Sequence, residues 1–111
     1  MRIRTQDYNG VMVIELQGEL DSDFTELLRT TVVSTIKKCK AGMVLDMNGV
    51  GFVDSGGLEM LLWLRDYCRE NRRELRLAGL DENCLKILEI TRLENEFNCY
   101  AELAKAVKSL A

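Results

Sequence analysis

Val50-Gly51-Phe52-Val53-Asp54-Ser55-Gly56-Gly57-Leu58 leads from apolar residues into an acid, a hydroxyl and a glycine pair, then opens onto the largely apolar run Leu58–Leu64. The short segment Met43–Met47 before it reads as a buried strand, and Asn48 to Asp54 as a loop. A strand, a glycine-punctuated loop and a helix in that order put Ser55 at a helix N-terminus, with the helix running to about Glu70. A serine there is expected to cap free backbone N–H groups. A phosphate attached to it would face the positive end of the helix dipole.

Working outward, Ile3–Tyr8 and Val11–Leu16 flank Asn9-Gly10. That pair tolerates positive φ at both positions and predicts a β-hairpin with a type I′ turn. From Asp23 the period changes to helical, through Phe24, Leu27, Leu28, Thr31, Val32, Ile36 and Cys39. Asp23 and Glu26 resemble a capping box, and Gly42 marks the stop. Leu75–Ala78 is a further strand, ended by Gly79. Asp81 is expected to cap a helix carrying Leu85, Leu88 and Ile90. Phe97–Tyr100 is a last strand and Ala101–Leu110 a last amphipathic helix. The order β-β-α-β-α-β-α-β-α predicts an α/β fold: a mixed, mostly parallel sheet of four to five strands with an N-terminal hairpin, flanked by about four helices.

Size and composition narrow the function. A chain of 111 residues suits one domain. No apolar run approaches the roughly 18 residues of a membrane span, and Met1–Asp7 lacks the apolar core of a signal peptide, so a cytoplasmic protein without membrane insertion is expected. The net charge is −3 and the basic residues form no stripe, which argues against nucleic acid as a partner. There is no histidine, and Cys39, Cys68, Cys84 and Cys99 form no C-x-x-C pair. Common zinc sites and His-dependent triads fall away together, and no cofactor site is read. The four cysteines, among apolar neighbours, are expected to be small buried hydrophobes.

The glycines invite a nucleotide-binding reading that does not hold. No Lys-Ser/Thr pair follows Gly56-Gly57, and Gly49-Val50-Gly51 is not continued to a third glycine because Asp54 stands there. Small residues are expected to let a partner backbone approach Ser55. Asp21 and Asp54 could be read as paired carboxylates, but no base-activated nucleophile accompanies them.

Along the helix after Ser55, Met60, Leu61, Trp63, Leu64, Tyr67 and Cys68 gather on one arc, the expected core face. Glu59, Arg65, Asp66 and Arg69 lie opposite. Leu58 and Leu62 fall among those charges, one turn apart. Two readings stay open for them: filling the edge of the core, or forming an exposed apolar contact whose specificity Glu59 and Arg65 set.

Two motifs now carry a family resemblance. Gly18-Glu19-Leu20-Asp21 resembles the Gly-Glu-Leu/Ile-Asp loop of the STAS family, and Asp46, Val50, Phe52, Asp54, Ser55, Gly57 and Leu58 match its phospho-loop. Leu77-Ala78-Gly79-Leu80 and Ile87-Leu88-Glu89-Ile90-Thr91 fit its later strand and helix. The resemblance runs from Ile3 to Leu110, so residues 1–111 read as a single STAS domain. Gly56 stands where the family often has Ser, Thr or Ala, and Arg92 replaces a common glycine.

The chain is most similar to the stand-alone anti-sigma factor antagonists of bacteria. Such a resemblance implies a non-enzymatic protein that binds an anti-sigma factor serine kinase of histidine-kinase-like ATPase fold and so releases a sigma factor. It implies phosphorylation at Ser55, reversed by a metal-dependent serine phosphatase. Asp21, Asp54, Gly56, Gly57, Leu58, Glu59 and Leu62 are the implied partner-binding residues. Two rival roles remain: a non-switching STAS subunit of a larger complex, such as a lipid-transport ATPase assembly, and a small-molecule or nucleotide-binding sensor.

Overall fold

Asn9 and Gly10 take φ values of 53° and 92°, as a two-residue type I′ connection requires. The Gly10 N–H donates to Asp7 Oδ1 at 2.8 Å. The turn joins β1 (Arg2–Tyr8) antiparallel to β2 (Val11–Leu20). In the computed structural model, which describes residues 2–110, there follow α1 (Thr25–Thr35), β3 (Gly42–Val53), α2 (Ser55–Glu70) and β4 (Glu74–Ala78). The chain then forms α3 (Glu82–Ile90), a 3-10 turn (Glu94–Glu96), β5 (Cys99–Tyr100) and α4 (Leu103–Leu110). Sheet order follows chain order, β1-β2-β3-β4-β5, and every pairing after the hairpin is parallel. The expected mixed α/β sheet is therefore present, with five strands.

Parallel strands need cover on both faces, and the apolar stretch of β2 supplies both. Met12, Ile14 and Leu16 join Leu28, Val32 and Ile36 of α1, with Met60, Leu61, Leu64 and Cys68 of α2, in the larger core. Val11 and Val13 point the other way. They meet Val44, Ala78, and Ala106 and Leu110 of α4 in a smaller core.

Several expectations change at the ends of elements. β2 runs on to Leu20, and β3 to Val53, so Asn48–Val53 is strand and not loop. Beyond Asp46, β3 loses β4 as a neighbour and pairs with β2 alone, from Gln17↔Gly49 to Leu20↔Val53. Along Asn48–Val53 only Val50 and Val53 are buried, a spacing of three that lacks the alternation of a regular strand. Two register shifts, at Glu15/Gln17 and Gly18/Glu19, bend this two-stranded arm, with Gly18 at φ 119°. Asp46 pins the point of departure. It is buried, and its Oδ1 accepts the Asn48 N–H at 3.0 Å and Nδ2 at 2.7 Å.

At α1 the N-cap is Phe24, with no side-chain hydrogen bond, so Asp23 and Glu26 do not form a capping box. Gly42 opens β3 and does not stop α1, which ends at Thr35. Leu27 is exposed where the helical period expected core. Leu85 and Ile90 are exposed as well; α3 instead buries Cys84 and Leu88, and Asp81 caps it as expected, accepting the Cys84 N–H at 2.8 Å. Phe97 reaches the core from just before β5.

Cys39, Cys68 and Cys84 are buried, whereas Cys99 lies exposed on edge strand β5. Desolvation pushes the Cys68 and Cys84 thiols up from 9.0 to about 12. Desolvation raises the Cys99 thiol as well, but its exposure means that an aromatic disulfide reagent at mildly alkaline pH should reach Cys99 first in native protein and the other three only after unfolding. Between about 9 and 12 the unfolded chain loses those protons and the folded one keeps them. Stability should therefore fall as pH rises through that window, as denaturant titrations at several pH values would record.

Candidate functional site

Asp54, and not Ser55, caps α2. Its backbone is extended (φ −92°, ψ −175°), and its Oδ1 accepts the Gly57 N–H at 2.8 Å, while its carbonyl accepts the Leu58 N–H at 2.9 Å. Ser55 is thus the first helical residue, with its side chain exposed. The sequence could not settle this, since Asp and Ser are about equally good caps and stand side by side. The Ser55 and Gly56 N–H groups come before the first residue that an intrahelical bond reaches, and they crown the positive end of a 16-residue helix.

The segment after β2 meets this helix end directly. The Leu20 carbonyl accepts the Asp54 N–H at 3.2 Å. A Cβ on Gly57 would clash with that same oxygen, and one on Gly56 would stand 2.8 Å from Ser22 Cβ. The glycine pair therefore serves a contact within the chain. Gly57 is buried, and its lack of a side chain lets the two segments close.

Around Ser55 the surface is acidic. Asp21 is half-buried, its Oδ1 accepting the Asp23 N–H at 3.0 Å, and Asp23 and Glu59 are exposed. No basic residue occurs between Lys40 and Arg65, nor between Arg4 and Arg29. Leu58 and Leu62 are half-buried against the larger core, which supports the core-edge reading for most of their surface. Arg65 belongs elsewhere, tied to Glu96 at 2.6 Å and to Asp66 at 3.0 Å.

A further residue at this end, outside the contact set that the sequence implies, is exposed. Phe52 is 48% exposed and pairs in register with Glu19 across the arm. Val50 and Val53 are both buried, so strict alternation would turn Phe52 inward with Val50; the register shift at Gly18/Glu19, which leaves Gly51 without a partner, turns it outward instead. Among the described residues no three His, Cys, Asp or Glu side chains converge as a metal site would need. Among the described residues no helix is long and apolar enough to cross a membrane.

Comparison with known proteins agrees with this geometry. The family model described as the STAS domain matches residues 2–106. The anti-sigma F factor antagonist of Paenibacillus polymyxa is 23% identical over 111 residues, spanning 93% of this chain and 95% of that protein. A crystal structure of an anti-sigma factor antagonist from Mycobacterium paratuberculosis superposes with a TM-score of 0.86 at 20% identity, covering 98% of this chain and 92% of that one. The Bacillus cell fate determinant SpoIIAA in its phosphorylated form superposes with a TM-score of 0.76 at 18% identity, covering 99% and 100%. At such identities the superpositions establish a common fold.

The cap assignment is testable by urea denaturation. Asp54→Ala should cost about 1 kcal/mol, while Ser55→Ala should stay within about 0.5 kcal/mol of wild type. The glycines give a second contrast. Gly57→Ala drives a methyl into the Leu20 carbonyl and should cost about 1–3 kcal/mol. A Cβ at Gly51 meets nothing within 4 Å, so Gly51→Ala should leave the unfolding midpoint close to wild type.

Proposed function

The chain belongs to the STAS domain family, and from that premise we propose that it is an anti-sigma factor antagonist whose hold on its partner is set by phosphate on Ser55. The partner is an anti-sigma factor serine kinase of histidine-kinase-like ATPase fold. While the antagonist holds the kinase, the sigma factor is free. The kinase phosphorylates Ser55 and lets go, and a metal-dependent serine phosphatase restores the hydroxyl. The chain itself catalyses nothing.

The observation that carries this reading is an exposed Ser55 hydroxyl in the first helical position behind the Asp54 cap, inside an acidic surface. Phosphate there adds about −1.5 to −2 charges. The free N–H groups and dipole of α2 favour it locally by roughly 0.3–1 kcal/mol, so the modified protein keeps its fold. A partner that covers the same surface must desolvate that charge beside Asp54, Glu59 and Asp21, and nothing cationic in the surrounding sequence offsets the cost. Release through the interface follows without any refolding. The contact surface comprises Asp21, Asp54, Gly56, Leu58, Glu59 and Leu62, with Phe52 as the exposed apolar anchor at its edge.

Phosphopeptide mapping of the protein from its own cells, in growing and stressed cultures, tests the switch. Phosphate on Ser55 is expected, with an occupancy that changes between conditions. In binding assays Ser55→Asp should weaken the complex at least tenfold, about 1.4 kcal/mol, while Ser55→Ala should bind like wild type. A Ser55 that stays unmodified throughout, in a protein that co-purifies with a steady partner, would instead point to a constitutive subunit such as that of a lipid-transport ATPase assembly.

A further inference from the structure

At the end of α2 away from Ser55, a cavity of about 360 Å³ is lined by four arginines, Arg65, Arg69, Arg72 and Arg73, with Leu75 and Phe97 among its apolar residues. A rise of about 1.5 Å per helical residue puts Arg69 roughly 20 Å along the helix from Ser55. The cavity is therefore separate from the phosphorylation surface, and what it binds is independent of the role proposed there.

The charges in this cavity do not cancel. Arg65 is neutralised by Glu96 and Asp66. Glu74, the other acid in the lining, is paired with Arg76. Arg73 donates its Nε to the Cys39 carbonyl at 2.8 Å and an Nη1 to the Asn71 carbonyl at 3.0 Å. Those bonds fix the guanidinium in place without neutralising it. Arg69 and Arg72 form no ion pair among the described residues, and both are exposed. A cation in the last turn of a helix complements its dipole, which accounts for Arg69 alone. It does not account for three uncompensated guanidiniums around one cavity on a chain whose net charge is −3.

We propose that this cavity binds a small molecule carrying a diphosphate group. Guanidinium forks match phosphate oxygens in pairs, and three unpaired cations suit a diphosphate better than a lone carboxylate. The pre-set Arg73 seats the anion, and Arg69 and Arg72 close on it. Leu75 and Phe97 meet the organic part of the ligand, in a cavity whose volume falls within the range of small-molecule sites. Contacts of this kind are salt-sensitive where they remain open to solvent.

The test is a titration of the intact, isotope-labelled chain with two probes, inorganic pyrophosphate and ADP, followed by amide chemical shifts. Saturable shifts are expected at residues 69–75 and 96–98 with both probes, with tighter binding of ADP. The double variant Arg69→Gln/Arg72→Gln removes two exposed side chains with no ion-pair partner, so it should stay folded, its unfolding midpoint lowered only slightly by the lost dipole contact of Arg69. It should bind both probes at least tenfold more weakly. Absence of saturation with either probe would overturn the proposal, as would shifts confined to the Ser55 end of α2 or undiminished binding by the variant. ADP binding no tighter than pyrophosphate would overturn the contact with Leu75 and Phe97.

Discussion

The carbonyl oxygen of Leu20 is the constraint on which the Ser55 end of the molecule depends. It receives the Asp54 N–H, and it lies where any side chain at position 57 would have to be. Because that oxygen ends β2 and Asp54 caps α2, one contact sets how strand and helix meet. The exposure of Ser55 follows from it. A bulkier residue at position 57 would push the helix away, and the cap would have to give up either its backbone bond to β2 or its hold on the first turn.

The elements were legible in the chain because each has its own local cause. Asn9-Gly10 has one favoured turn, Val11–Ile14 has no polar residue to turn outward, and the heptad-like run after Ser55 buries Met60, Leu61, Leu64 and Cys68 as its spacing implies. What stayed hidden is what depends on neighbours. Asn48–Val53 has too few apolar residues to announce a strand, and only pairing with β2 makes it one. Choosing between Asp54 and Ser55 as the cap needs the backbone angles themselves. The same holds for Gly56 and Gly57, whose purpose is visible only when Leu20 and Ser22 are seen against them. Leu27, Leu85 and Ile90 lie on amphipathic helices but fall on the outer face, a rotation that spacing alone does not specify.

The two ends of α2 differ in electrostatic character. At its start lie Asp21, Asp23, Asp54 and Glu59 with no basic residue nearby in sequence; at its finish lie Arg65, Arg69, Arg72 and Arg73. Acids near a helix N-terminus and bases near its C-terminus are each favourable, so this distribution stabilises the helix whatever else it does. It also makes the surface strongly dipolar. An added negative charge at the start of the helix changes the acidic end while leaving the basic end as it was.

The neighbour-by-neighbour order of the strands has a consequence for how the protein is made. Each strand pairs with the one synthesised just before it, so no segment waits for a distant partner to emerge, and loop-closure costs stay small. The hairpin, the arm formed by β2 and β3, and α2 are all complete by residue 70. The end of the molecule that presents Ser55 can therefore assemble on the ribosome before β4, β5 and α4 have left it.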